Sequence, residues 1–122
     1  MADLSLPKPS LPCTQLPEQA SSVLQDETLA ASVAQFKALG HPVRLQMIDL
    51  IHRHGGKLCV CAFEQHFDLR QPTISHHLKI LRDADLIRSR QEASSVYHFI
   101  KPAAFEHLRQ LSALFAAEAV PA

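Results

Sequence analysis

The stretch Gln71-Pro72-Thr73-Ile74-Ser75-His76-His77-Leu78-Lys79-Ile80-Leu81-Arg82-Asp83-Ala84-Asp85-Leu86-Ile87 decides the fold. Ile74, Leu78 and Leu81 recur at spacings of four and three, which predicts a helix from Gln71 or Pro72 to about Ala84. Just upstream, Phe63 and Phe67 stand four apart and predict a short helix within Cys59 to Phe67, with Asp68 in the following turn. Two helices joined by so short a turn form a helix-turn-helix. Downstream, Ile87-Arg88-Ser89-Arg90 and Val96-Tyr97-His98-Phe99-Ile100 flank the polar run Gln91 to Ser95, the pattern of a hairpin.

Working outward, Leu29, Val33, Phe36 and Leu39 mark an amphipathic helix from Asp26, stopped by Gly40. Pro42 suits the first turn of a second helix carrying Val43, Met47, Ile48, Leu50 and Ile51, which ends at Gly55-Gly56. Pro102 opens a last helix with Phe105, Leu108, Leu111, Leu114 and Phe115 on its apolar side. Residues 1–25 hold Pro7, Pro9, Pro12 and Pro17, a density that opposes helix and predicts an extended arm. The expected organisation is therefore an arm over 1–25 and one domain over 26–119. That domain is mainly α with a β-hairpin wing, in the element order of a winged helix-turn-helix.

Composition excludes several classes. The 122 residues suffice for one compact domain, and 47% hydrophobic with 20% charged residues is a globular profile. The formal net charge is zero, so no overall field draws the chain to DNA or an anionic membrane. No apolar run approaches the ~18 residues of a membrane span, and the N-terminus lacks the apolar core of a secretory signal. Three cysteines argue against a disulfide framework, so a reducing cytoplasm is expected, where thiols serve as metal ligands or redox groups. No nucleophile–base–orienter set is legible, so no enzyme is expected.

The recognition stretch resembles that of the ArsR/SmtB family of metal-sensing repressors. So does Phe36-Lys37-Ala38-Leu39-Gly40-His41-Pro42-Val43-Arg44-Leu45, and Leu58-Cys59-Val60-Cys61 is similar to the thiolate site of the family's arsenite and cadmium sensors. The resemblance runs from about Val33 to Leu114. It implies a homodimeric, cytoplasmic winged-helix repressor that leaves operator DNA when a thiophilic ion binds. Three positions depart from the family pattern. Arg70 stands where a capping Ser is common, the wing turn is Glu92-Ala93-Ser94-Ser95 without Gly, and Glu64 occupies the place of a third Cys.

Charge position supports DNA binding where net charge does not. Between Arg70 and Arg90 the basic residues Arg70, Lys79, Arg82, Arg88 and Arg90 face only Asp83 and Asp85, a net of +3, whereas residues 1–35 carry −3. Gln71, Thr73, Ser75 and His76 are the expected base readers, since Gln can pair with an adenine edge and the Thr methyl can meet a thymine methyl. Arg70, Lys79, Arg88 and Arg90 are expected on phosphates. His77, about 100° from His76, is expected to pack or face solvent.

Cys59 and Cys61 form a Cys-x-Cys pair. Two residues apart on a regular helix lie about 200° apart, so one ion can be shared only if the pair is not yet helical or the first turn unwinds. Unwinding would tug the recognition helix and link metal to DNA release. Cys13 is the remaining cysteine, and the resemblance points to its completing the site across a dimer. Three thiolates suit As(III) or Sb(III), while Cd(II) and Pb(II) are alternatives and no organic cofactor is implied. A repressor sensing oxidants through a disulfide is a further alternative. The family's zinc-site motif on the last helix has no match here. Leu29 and Phe36, with Phe105, Leu108, Leu111, Leu114 and Phe115, are expected at the dimer interface.

Overall fold

The structure, a computed structural model, describes residues 26–117. The expected arm and Cys13 lie outside the described residues. Five helices and three strands follow in order: α1 (Asp26–Leu39), α2 (Pro42–Arg53), β1 (Lys57–Cys59), α3 (Val60–His66), α4 (Gln71–Asp83), β2 (Ile87–Glu92), β3 (Ser95–Ile100) and α5 (Pro102–Ala116). The helices, the hairpin and the final helix stand where the hydrophobic spacing puts them. The strand β1 is additional and takes Cys59, while α3 lies within the expected Cys59 to Phe67 span.

Local chemistry sets the boundaries. His41 caps α2, its Nδ1 accepting the Val43 N–H at 3.1 Å, with Pro42 at the first position. At the other end, Gly55 N–H donates to His52 O at 3.1 Å and Gly56 N–H to Ile51 O at 2.9 Å, a Schellman closure. Both glycines have positive φ, 79° and 88°, as that closure and the turn into β1 require. The same closure ends α4, with Asp85 N–H on Arg82 O and Leu86 N–H on Leu81 O. There a non-glycine residue, Asp85, holds the left-handed position at φ 64°.

The core lies between the helices and one face of the sheet. Met47 and Ile51 of α2, Phe63 of α3, Ile74, Leu78 and Leu81 of α4, and Leu58, Leu86 and Ile87 are buried together. The strand order is β1-β3-β2, antiparallel throughout, with Cys59 opposite Tyr97 and Tyr97 opposite Arg90. Residues directly opposite share a face. Leu58, His98, Ser89 and Ile87 thus point inward, and Lys57, Cys59, Tyr97, Phe99, Arg88, Arg90 and Glu92 point outward.

The dimer expectation divides. Leu111 is buried within the protomer, and Phe105 and Leu108 pack against its own core, because the early turns of α5 lie on the domain. Leu29, Phe36, Leu114 and Phe115 remain exposed, joined by Val33. Ser32 of α1 bonds His107 of α5 at 2.8 Å, so the two helices are neighbours. No described helix is long and apolar enough to cross a membrane.

His98 is inside the sheet, its Nδ1 2.9 Å from Ser89 Oγ and its ring edge-on to Phe63. Burial, then the nearby Arg82 charge, lowers its pKa to about 4. The unfolded chain takes up this proton near pH 6.5 and the native state does not. His98 therefore has no destabilising effect above that pH. As pH falls from 6.5 towards 4, native stability should drop by up to about 2–3 kcal/mol, seen as a falling urea midpoint that His98→Gln removes. The β2–β3 turn is Ala93-Ser94, with Ala93 at φ 54°. Ala93→Gly should raise stability by about 1 kcal/mol and the melting temperature by roughly 4 °C.

Candidate nucleic-acid interface and thiolate pair

Helix α4 turns a buried arc inward and a polar arc outward. Ile74, His77, Leu78 and Leu81 are buried. Gln71, Thr73, Ser75, His76 and Lys79 are exposed, as are Arg70 before the helix and Arg88 and Arg90 on β2. At 100° per residue, Ser75 and His76 stand about 40° and 140° round from Gln71, near the middle of the outward arc, while Gln71 and Thr73 mark its edges. All eight residues expected at DNA are thus presented to solvent.

Arg70 occupies the N-cap of α4 in an extended conformation, φ −73° and ψ 152°, and makes no side-chain cap bond. Pro72 has no N–H, and the Thr73 and Ile74 N–H groups donate to Arg70 O at 3.0 and 3.1 Å, so the helix start closes on its own backbone. Lys79 pairs with Asp83 at 2.9 Å, and Arg90 holds Glu92 through Nε at 3.1 Å and Nη2 at 2.6 Å. Asp85 is taken by Lys101. Among the described residues Arg70, Arg82 and Arg88 meet no carboxylate at ion-pair distance. Exposed pairs such as Lys79–Asp83 contribute at most ~1 kcal/mol, so a phosphate can replace the carboxylate.

His77 fixes α4 from behind. Arg44 of α2 donates from Nη1 to His77 Nδ1 at 3.3 Å and from Nε to Ala38 O at 2.6 Å, tying α1, α2 and α4 together. An Arg N–H can only donate, so His77 is neutral with its proton on Nε2. Burial, then the His41 and Arg44 charges, lowers its pKa accordingly. Of the two roles expected for His77, packing or facing solvent, it takes the first. Arg44 itself was not legible as its partner, because the contact spans 33 positions in the chain.

The cysteines meet at the junction of β1 and α3. Cys59 ends the strand and caps the helix at φ −73° and ψ 145°, while Cys61 lies in the first turn. Cys61 Sγ donates to Cys59 Sγ at 2.8 Å. Of the two routes open in the sequence, the structure takes the non-helical one, and no turn has to unwind for the sulfurs to converge. The proposed tug on α4 through unwinding loses its premise. Cys59 is the more acidic thiol, because the Cys61 thiol and then the Cys61 N–H donate to it, with Ser95 Oγ adding another bond. Cys61 is held above the ordinary value, chiefly because it supplies that proton. Cys59 is thus the first of the two to ionise, and the Cys61 thiol supports its thiolate. Among the described residues no three His, Cys, Asp or Glu side chains converge on a common point. Ser95 and Tyr97, beside Cys59, were missed in the sequence because β1 was. The signal was there in Gly55-Gly56 followed by the alternation Lys57-Leu58-Cys59.

A three-helix core, a helix-turn-helix with an exposed polar recognition face, and a two-stranded wing define a winged-helix DNA-binding regulator. Residues 41–89 match the family model described as bacterial regulatory protein, arsR family. An HTH-type transcriptional regulator of Methanocaldococcus jannaschii is 40% identical over 65 residues, 53% of this chain and 72% of that protein. The arsenical resistance operon repressor of Bacillus subtilis is 39% identical over 75 residues, 61% of this chain and 70% of that one. A crystal structure described as a possible transcriptional regulator for arsenical resistance superposes with a TM-score of 0.60 at 26% identity, over 70% of this chain and 86% of the other. The protein belongs to the ArsR family of transcriptional regulators.

Phosphate contacts set the salt dependence of binding. Arg88→Gln should weaken operator binding evenly across sequences and lower the slope of log K against log salt by about 1 per protomer. Gln71→Ala should instead relax base preference at one position, at roughly 1–3 kcal/mol. Fluorescence anisotropy on operator and scrambled duplexes distinguishes the two.

Proposed function

We propose that the protein is a homodimeric repressor that holds operator DNA with α4 and the wing and lets go when As(III) or Sb(III) binds its cysteine thiolates. The observation that carries this reading is the 2.8 Å approach of the Cys59 and Cys61 sulfurs at a strand–helix junction inside the helix-turn-helix. Soft thiolates select thiophilic ions, and two converging sulfurs suit such an ion. The third sulfur is Cys13, brought by the arm of the other protomer. The exposed residues Leu29, Val33, Phe36, Leu114 and Phe115 on neighbouring helices form the dimer surface. The names of the arsenical resistance relatives favour arsenite over Cd(II) or Pb(II).

The residues divide the labour. Arg70, Lys79, Arg88 and Arg90 neutralise phosphates, and Gln71, Thr73, Ser75 and His76 read base edges. Cys59 and Cys61 hold the inducer, which lowers DNA affinity only as far as it prefers the unbound dimer. Cys59→Ser or Cys61→Ser should keep operator affinity within roughly threefold of wild type yet abolish a release that otherwise amounts to about 5–150-fold. Cys13→Ser should retain arsenite binding but weaken it. Gel shifts of the reduced protein with arsenite, Cd(II), Pb(II) or peroxide check this. Arsenite-driven release surviving both single substitutions would overturn the site, and release by Cd(II) or peroxide alone would reassign the signal.

A further inference from the structure

The outer face of the sheet connects the thiolate strand to the wing. Across one row of the ladder, Cys59 of β1 faces Tyr97 of β3, which faces Arg90 of β2. In the next row Lys57 faces Phe99, which faces Arg88. Over these rows runs an ionic bridge. Lys57 Nζ reaches Glu92 Oε2 at 2.6 Å, and Glu92 Oε1 takes both Arg90 donors. The aromatic rings lie beneath, with Lys57 Nζ 4.4 Å from the Tyr97 centroid and the Arg90 guanidinium 4.9 Å from that of Phe99.

We infer that the Lys57–Glu92–Arg90 bridge couples the thiolate pair to the DNA-contacting wing, with Lys57 and Glu92 as its positioning residues. This rests on the repressor reading above. Since the two sulfurs converge without unwinding α3, the strand is the element that an ion on Cys59 displaces. Lys57 lies two residues along the same strand and on the same face, so it moves with Cys59. Glu92 is held from both sides, by Lys57 on Oε2 and by the Nε and Nη2 donors of Arg90 on Oε1. A displacement of β1 is therefore delivered to the one wing side chain that is both tied to it and expected on phosphate. Such a bridge is weak as a contribution to stability, being largely solvent-exposed. Its value lies in orientation, which two donors on one oxygen fix better than a single contact.

The experiment compares wild type, Lys57→Gln and Glu92→Gln as full-length reduced protein. Operator affinity is measured by anisotropy with and without arsenite, and arsenite binding by thiolate–arsenic ultraviolet absorption. In both variants, arsenite should bind with wild-type stoichiometry and affinity, and arsenite-free Lys57→Gln should hold operator within roughly threefold of wild type. The factor by which arsenite weakens DNA binding should fall to less than about a third of the wild-type factor. The double variant should lose no more than either single one, since both break one bridge. Unchanged coupling in the variants overturns the inference. So does a lower salt slope for arsenite-free Lys57→Gln, which would make Lys57 a phosphate contact. Reduced coupling that tracks a lowered melting temperature, rather than the bridge, also overturns it. A wild-type protein that binds arsenite and stays on DNA overturns the repressor reading itself, a result distinct from any of these.

Discussion

Three residues, Lys57–Cys59, pair antiparallel with Tyr97–Phe99, and the rest of the molecule depends on that short ladder. A lone hairpin is marginal in water, whereas a third strand gives the sheet a face wide enough to bury. Leu58 and His98 sit opposite each other on that face, against Phe63 of the helix that begins one residue later. The same pairing takes Cys59 out of the helix and sets its sulfur against that of Cys61. Core, wing and thiolate pair are thus consequences of one backbone alignment.

Electrostatics in this chain is a matter of placement. Net charge is zero, yet the recognition face presents arginines while most nearby acids are occupied by other cations. Arg82, counted only as part of a basic cluster in the sequence, bonds Ser89 Oγ at 3.3 Å and so reaches the hydrogen-bonded pair Ser89–His98. Recognition helix and sheet interior are tied at that point. On the opposite side of α4, Arg44 and His77 do the same for α1 and α2. The recognition helix is consequently oriented from two directions by polar contacts, exposed at Arg82–Ser89 and half-buried at Arg44–His77, which are directional where apolar packing is not.

The apolar surface follows a comparable logic. A helix with more hydrophobic residues than its own domain can cover must use the remainder elsewhere. The early turns of α5 are absorbed by the core, and only its last turn, with the outer stripe of α1, stays bare. The sequence showed the excess. Which of the leucines made up the excess depended on where α5 docks.

What the sequence determined by itself was local and periodic. The 3.6-residue recurrence of apolar side chains gave all five helices, the two-residue alternation gave the hairpin, and Pro42, Pro72 and Pro102 marked three helix starts. The exposed polar face of α4 was legible too, because a helix that buries Ile74, Leu78 and Leu81 must turn Ser75 and His76 outward. The tertiary structure alone decided what long-range pairing brings together. A three-residue alternation after Gly55-Gly56 is too brief to outweigh the helical spacing that follows it, so β1 and everything beside Cys59 went unread. The partners Lys57 and Glu92 are 35 positions apart, and Ser32 and His107 are 75 apart. No local preference can register such contacts, since they exist only once the chain has closed on itself.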